Sequence, residues 1–328
     1  MENSQQAYNI EITRKRGLVD RIFQWETLLG LLLLLVIVVN TAISPYFLSI
    51  RNLINTPSVF LDKSFLVFPM ILTMVLGGID VSVGSTVALS AVIMAVSYNA
   101  GLPMEFAILL CLLIGTVCGM INGGVLVKFH ELSPVIVTVS TMIIFRGIAY
   151  IILGDQASSG FPKWFSFFGW GSVGGAPFLL WMFILASFFF GILLHKTTFG
   201  RKVYGIGSNR IACRYSAIEI DKITFIVFAL NGLMAGVTAV FLTSRMGSTR
   251  PNVALGYELE VITMVALGGV STTGGVGKIS GPILSVFIIG YLSYGMGLAN
   301  IQAPVVLVVI GSLLVLSVLA SKTKLWKW

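Results

Sequence analysis

Two ionisable side chains, Asp80 and Arg146, lie deep within lipid-soluble sequence. A charge at the centre of a bilayer costs about 2.5–3.5 kcal/mol even on the lenient insertion scale, so such residues point to an ion relay or a solute path. The two can face one another. Each also has a plainer role, Asp80 as an N-cap for the long helical run behind it and Arg146 as a tie to backbone carbonyls near helix ends. Ser82 and Ser85 flank Asp80, and Asn122, Thr138, Ser140 and Thr141 add neutral hydrogen-bonding groups in nearby apolar runs. A passage for a hydroxylated solute needs such groups. Ser and Thr in membrane helices, however, often bond their own backbone.

Catalytic chemistry finds less support. His130 and His195 lie beside expected membrane edges without metal-ligand spacing, so no metal site is expected. Cys111, Cys118 and Cys213 also lack that spacing and suit packing. Glu258 and Glu260 open an apolar run, where carboxylates suit a helix N-terminus. Residues 274–280 have the look of a phosphate loop, yet a Walker A motif needs Gly at 272 and Ser or Thr at 279. Thr272 and Ile279 stand there, so ATP binding by this chain is not expected.

The elements that must position these groups are membrane helices. With 56% apolar residues, 10% charged residues and a mean hydropathy of +0.96 over 328 residues, the chain lies outside the range of soluble domains. Apolar runs of about 15–25 residues exclude a β-barrel, whose strands alternate over about ten residues. An all-α bundle of about ten transmembrane helices follows, over 27–44, 64–78, 83–101, 104–127, 134–153, 177–194, 223–243, 257–270, 279–298 and 303–320. Threading them alternately puts fifteen Lys and Arg residues on one side and only Arg51, Lys63, Lys163, Arg245 and Arg250 on the other, with Arg146 inside a span. That bias places both termini in the cytoplasm. It also accounts for the net charge of +8 without nucleic acid.

Two glycine seams interrupt the bundle, Leu76-Gly-Gly-Ile-Asp-Val-Ser-Val-Gly-Ser85 and Leu267-Gly-Gly-Val-Ser-Thr-Thr-Gly-Gly-Val-Gly-Lys278. Polar backbone at membrane depth is tolerated only where protein or a water-filled cavity surrounds it. The runs leading into them, 64–78 and 257–270, are short for a crossing. Short or broken helices near Asp80 and Gly268 are therefore expected around a conduit. The aromatic loop 154–176 suits an interfacial segment, and 52–63 a surface piece. The long basic loop 195–218 mixes cations with apolar residues, and Ser208 or Asn209 can cap a short amphipathic helix there. Such a helix rests on lipid or fits a groove in a partner.

These residues carry a resemblance. Gly77-Gly-Ile-Asp-Val-Ser-Val-Gly-Ser85, Gly119-Met-Ile-Asn-Gly-Gly-Val-Leu-Val127, Pro134-Val-Ile-Val-Thr-Val-Ser-Thr-Met142 with Phe145-Arg-Gly147, Gly200-Arg-Lys-Val-Tyr-Gly-Ile-Gly-Ser-Asn209 and Gly256-Tyr-Glu-Leu-Glu260 occur in the order seen in ribose-type permeases of bacterial ATP-binding-cassette importers. Within that family, 244–265 is most similar to rhamnose-type permeases, with autoinducer-2 permeases nearby. The resemblance implies a monosaccharide permease in the bacterial cytoplasmic membrane. A second permease copy or paralogue, two cytoplasmic ATPase subunits that use the ATP, and an extracytoplasmic sugar-binding protein would work with it. This chain would bind no cofactor and catalyse no reaction. Residues 1–26 and 321–328 would be cytoplasmic tails, and 27–320 the permease domain. Within 196–222, Gly200, Arg201, Tyr204, Gly207, Asn209 and Arg214 would couple to the ATPase. Asp80, Ser82, Ser85, Asn122, Thr138, Thr141 and Arg146 are the candidates for the path. An ion-coupled secondary transporter relaying charge through Asp80 and Arg146 is the rival.

Overall fold

The computed structural model describes residues 25–44 and 47–322. The tail expected at 1–26 lies outside the described residues apart from Trp25 and Glu26, as does most of 321–328. The described chain is helical nearly throughout. Its helices are α1 (Trp25–Ile43), α2 (Ile50–Asn55), α3 (Pro57–Ser64), α4 (Val67–Val75), α5 (Val83–Asn99), α6 (Met104–Lys128), α7 (Pro134–Leu153), α8 (Phe167–Trp170), α9 (Phe178–His195), α10 (Thr198–Ser208), α11 (Arg210–Tyr215), α12 (Ile220–Met246), α13 (Tyr257–Leu267), α14 (Ser280–Leu298) and α15 (Ala303–Lys322). Two pairs of two-residue strands complete it, 158–159 against 248–249 and 172–173 against 176–177.

Helices α1, α6, α7, α9, α12 and α14 are long and apolar enough to cross a membrane, and the bent pair formed by 52–64 and 67–75 makes up to seven. Among the described residues, α5 and the stretch 304–319 of α15 are shorter apolar helices. At 1.5 Å per residue, α4 and α13 span only about 14 and 17 Å, roughly half of the hydrocarbon thickness. Both glycine seams are reversals rather than breaks in mid-span. Each follows one of these short helices, and α5 and α14 then climb away from the same end of the bundle. The helix bent in mid-course lies elsewhere, with α3 and α4 meeting at 44°.

That bend corrects the reading of 52–63 as a surface piece. Phe60, Leu61, Asp62 and Ser64 on α3 are buried. The apparent shortness of the 64–78 run arises because Asp62 and Lys63 interrupt the hydropathy while the helical path continues through them. In the aromatic loop, Phe165 is buried while Trp164 and Trp170 are exposed, and Trp170 Nε1 donates to the carbonyl of Arg245 at 2.9 Å.

The tightest crossing is between α6 and α12, which run antiparallel. Gly115 and Gly119 on α6 meet Gly232 and Gly236 on α12, and an added Cβ at any of the four would strike the facing backbone. Without a hydrophobic force to drive helices together in lipid, such small-residue faces supply close van der Waals contact. Gly119→Leu or Gly232→Leu is expected to lower the thermal midpoint in detergent by the equivalent of about 1–3 kcal/mol or more, the usual cost of overpacking. Gly124→Ala, on the open side of α6 with no atom within 4 Å of the new methyl, leaves the midpoint unchanged or raises it.

Candidate functional site: the seam junction, the Asp80 turn and the charge clasp

Three polar centres occupy the bundle. The first lies where α10 meets both seams. Thr197 caps α10 by accepting from Gly200 N at 3.2 Å, and Asn209 Oδ1 caps α11 by accepting from Ala212 N at 2.9 Å. Val203 and Ile206 turn inward, so α10 is amphipathic and seats its apolar face on the bundle. Its last turn reaches the seams. A Cβ on Gly207 would collide with the Val75 carbonyl and Gly275 N. That carbonyl accepts from Gly275 N at 2.8 Å, so the end of α4 is pinned directly to the second seam. Gly275 holds φ +76° against Ser208, a conformation and a space closed to other residues. Tyr204 completes the joint by donating its hydroxyl to the Gly277 carbonyl. Burial raises the phenol above its ordinary pKa.

Of the residues expected to couple, Gly200, Tyr204 and Gly207 lie on the packed side of this loop. Arg201, Asn209 and Arg214 are exposed beside it. Two exposed apolar side chains accompany the cations, Ile211 at 71% and Tyr215 at 89% exposure. Tyr215 was missed by sequence reasoning, although its place between Arg214 and Ser216 in a basic loop marks an aromatic anchor.

The second centre surrounds Asp80. Its Oδ1 accepts from Ser82 N at 2.9 Å and from Ser82 Oγ at 2.7 Å. Ser82 Oγ in turn accepts from Asn122 Nδ2 at 2.8 Å. Thr138 accepts from Val81 N at 3.2 Å and also bonds the Ile79 and Pro134 carbonyls. Asp80, Ser82, Asn122 and Thr138 thus come together from the first seam, α6 and α7, and all are buried. Ser85 is buried one turn further along α5. Thr141 bonds the Val137 and Thr138 carbonyls of its own helix.

Arg146 does not join this group. Its Nη1 donates to the carbonyls of Pro251 and Val253, both at 2.7 Å. It lies eight residues along α7 from Thr138, about 12 Å of helix rise. The expected Asp80–Arg146 encounter is therefore absent, and the ion relay loses the pair on which it was drawn. Arg146 instead ties α7 to the loop between α12 and α13.

The third centre was not foreseen. Asp62, with a side chain 1% exposed, binds Arg245 Nε and Nη2 through Oδ2 at 3.0 and 2.8 Å. Asp62 Oδ1 also accepts from Lys63 N at 2.8 Å. Lys63 pairs with Glu260 and lies 5.4 Å from the centre of the Tyr257 ring. The pairs clasp α3 to the end of α12 and the start of α13. Glu260 thus serves as an ion-pair partner rather than only as a helix-terminus charge. A cue was present in the adjacent Asp62 and Lys63 inside an apolar run, since such charges require partners.

Helices of transmembrane length, reversals packed against a basic amphipathic helix and buried hydrogen-bonding groups define a membrane permease. The family model described as branched-chain amino acid transport system, permease component, matches residues 52–318, and the chain belongs to that family. The ribose-type resemblance falls within it. The chain is similar to the autoinducer 2 import system permease protein LsrD of Escherichia coli strain K12, with 35% identity over 309 residues covering 92% of this chain and 93% of the relative. The protein of the same name from Shigella flexneri matches to the same extent. These relatives are permease subunits rather than enzymes. No solved structure matches.

Removing Arg245 alone strands a buried carboxylate. Arg245→Met is accordingly expected to cost about 3–5 kcal/mol, and adding Asp62→Leu to restore most of that loss. Thermal midpoints of the two single variants and the double variant in detergent test this, and independent, additive losses would contradict the clasp.

Proposed function

We propose that this chain is the transmembrane subunit of an ATP-driven importer for a monosaccharide or an autoinducer-2-like sugar derivative. Its α10 end faces the cytoplasm. The observation that carries this reading is the junction of α10 with both glycine seams, because one amphipathic helix at the bundle's edge touches the end of α4 and the seam that follows α13 together. The outer side of α10 presents Arg201, and the following α11 presents Arg210, Ile211, Arg214 and Tyr215, to whatever lies beyond. Lys128, Lys196, Lys202, Lys222 and Lys278 belong to the same end of the bundle, and that bias supports the orientation.

In this scheme two ATPase subunits engage 196–222, with Gly200, Arg201, Tyr204, Gly207, Asn209 and Arg214 as the coupling residues. A second permease copy or paralogue completes the pore, and a binding protein delivers the solute at the opposite end. ATP is used by the partner subunits, and this chain holds no cofactor. Movement of α10 displaces the seam junction as a rigid unit. The ends of α4 and α13 move with it, and the turn carrying Asp80 and Ser82 shifts against Asn122 and Thr138. These residues, together with Ser85 and Thr141, border the path. The chain makes ten crossings in the inner membrane, counting α5, α15 and the short α4 and α13 with the six long helices. The uptake of autoinducer-2 is carried over from relatives bearing that name, and rhamnose from the resemblance at 244–265.

Deleting this chain from its host should leave autoinducer-2 or L-rhamnose in the medium, and re-expression should clear it. Gly207→Trp, which forces a side chain into the Val75 carbonyl, and Arg201→Glu should each cut uptake at least tenfold while the subunit still reaches the membrane. Normal ATP-driven uptake by both variants would reject the coupling role. Uptake into vesicles containing this chain alone, driven by an ion gradient, would reject the ATP-driven reading altogether.

A further inference from the structure

The end of the bundle opposite α10 contains a cavity that the coupling scheme does not use. Its volume is about 490 Å3, and Arg245, Ser248, Thr249, Arg250, Asn252 and Tyr257 contribute the polar part of its wall. That volume lies within the roughly 300–1,000 Å3 typical of small-molecule sites.

The wall divides into a fixed floor and unengaged groups above it. Arg245 is held by Asp62, and Tyr257 lies against Lys63, which is itself paired with Glu260. Above them, Arg250 and Asn252 are exposed. Arg250 forms no ion pair among the described residues. The Thr249 hydroxyl is buried without a hydrogen-bond partner on a residue only 2% exposed. No carboxylate lines the cavity, since Asp62 and Glu260 stand behind the wall.

The unengaged groups comprise a guanidinium, an amide and hydroxyls beside an aromatic ring. Guanidinium and amide groups donate to hydroxyl oxygens, the amide and threonine oxygens accept in return, and the ring covers a C–H face. We propose that this cavity is a loading subsite for a small polyhydroxylated solute, held by Arg250, Asn252 and Thr249 above a floor of Arg245 and Tyr257. The subsite rests on the permease reading and adds to it a place where the solute touches the clasp between α3, α12 and α13. A solute on Arg245 and Tyr257 contacts the residues that hold the bent α3–α4 pair to α13, so arrival at this end is registered by the clasp itself.

The test uses Leu255→Cys, at an exposed cavity-lining position outside the proposed polar contacts, in spheroplasts that carry the permease and ATPase subunits without the binding protein. The native cysteines are buried, so a membrane-impermeant maleimide reports on position 255. Autoinducer-2 or L-rhamnose, added alone at millimolar concentration, should slow labelling severalfold. Arg250→Ala in the same background should abolish that protection. Labelling unaffected by either sugar, protection that persists in Arg250→Ala, or protection only on addition of the binding protein would each overturn the subsite, leaving the permease reading intact. Labelling that requires permeabilised spheroplasts would overturn the subsite together with the proposed orientation.

Discussion

No side chain fits at Gly207, where α10 meets the two seams, and the rest of the bundle is arranged around that exclusion. The Val75 carbonyl closes α4, accepts from Gly275 N and abuts Gly207 at van der Waals range. Backbone groups at a helix end must find partners when water is excluded. Here the partner is the other seam, so each turn satisfies polar groups that its own helix leaves open. A Cβ at Gly207 would part the surfaces and strand those groups. The two reversals therefore behave as one joint, and α10 is seated on both halves of it.

The short helices on the far side of that joint gain their significance from being held at both ends. The α3–α4 pair runs from Asp62 and Lys63 to Val75, and α13 from Tyr257 and Glu260 to Leu267. At one end the fastening is backbone on backbone, the Val75 carbonyl on Gly275 N, and at the other it is charge on charge. Apolar helix faces alone slide past one another at little cost, because Leu on lipid and Leu on Leu differ little. Buried ion pairs add little net stability over well-packed apolar side chains, but they penalise every register that leaves a charge alone. In this bundle they fix which turn of α3 faces which turn of α13. The Arg146 guanidinium does the same for α7, against two carbonyls of the loop that begins α13.

The parts legible in the sequence were those with a local signature. Apolar run length marked the helices, and glycine-rich polar stretches marked the reversals. An asparagine at a suitable position, Asn209, marked a cap in the basic loop. What stayed hidden was pairing over long separations. Asp62 finds Arg245 at a distance of 183 positions, and Lys63 finds Glu260 at 197. Taken alone, each of these charges lowers the hydropathy of its surroundings and resembles a loop, which is why α3 was placed on the surface. Arg146 admits two readings in the sequence, a counter-charge for Asp80 or a tie to backbone carbonyls near helix ends, and the second holds. Backbone carbonyls carry no residue signature, so which ones it binds is not legible there. The convergence of both seams on α10 is likewise a tertiary fact, since neither glycine stretch encodes the other's position.

The Asp80 turn then acquires a meaning that its charge alone does not suggest. Asp80, Ser82, Asn122 and Thr138 direct most of their bonds at one another or at backbone, which ties the first seam to α6 and α7. Yet the network is incomplete. The Oδ1 atoms of Asn122 and Asn231 are buried acceptors without partners, on the two helices that cross through the glycine faces. Asn231 directs its amide nitrogen at Thr73 on α4, as Asn122 directs its own at Ser82. An unmet acceptor in a low-dielectric interior costs about 1–3 kcal/mol. That cost is relieved when water or a solute hydroxyl donates to these atoms. The two amides thus face the short helix and the turn beside the seam junction, and each has one hydrogen bond committed to them and one acceptor open.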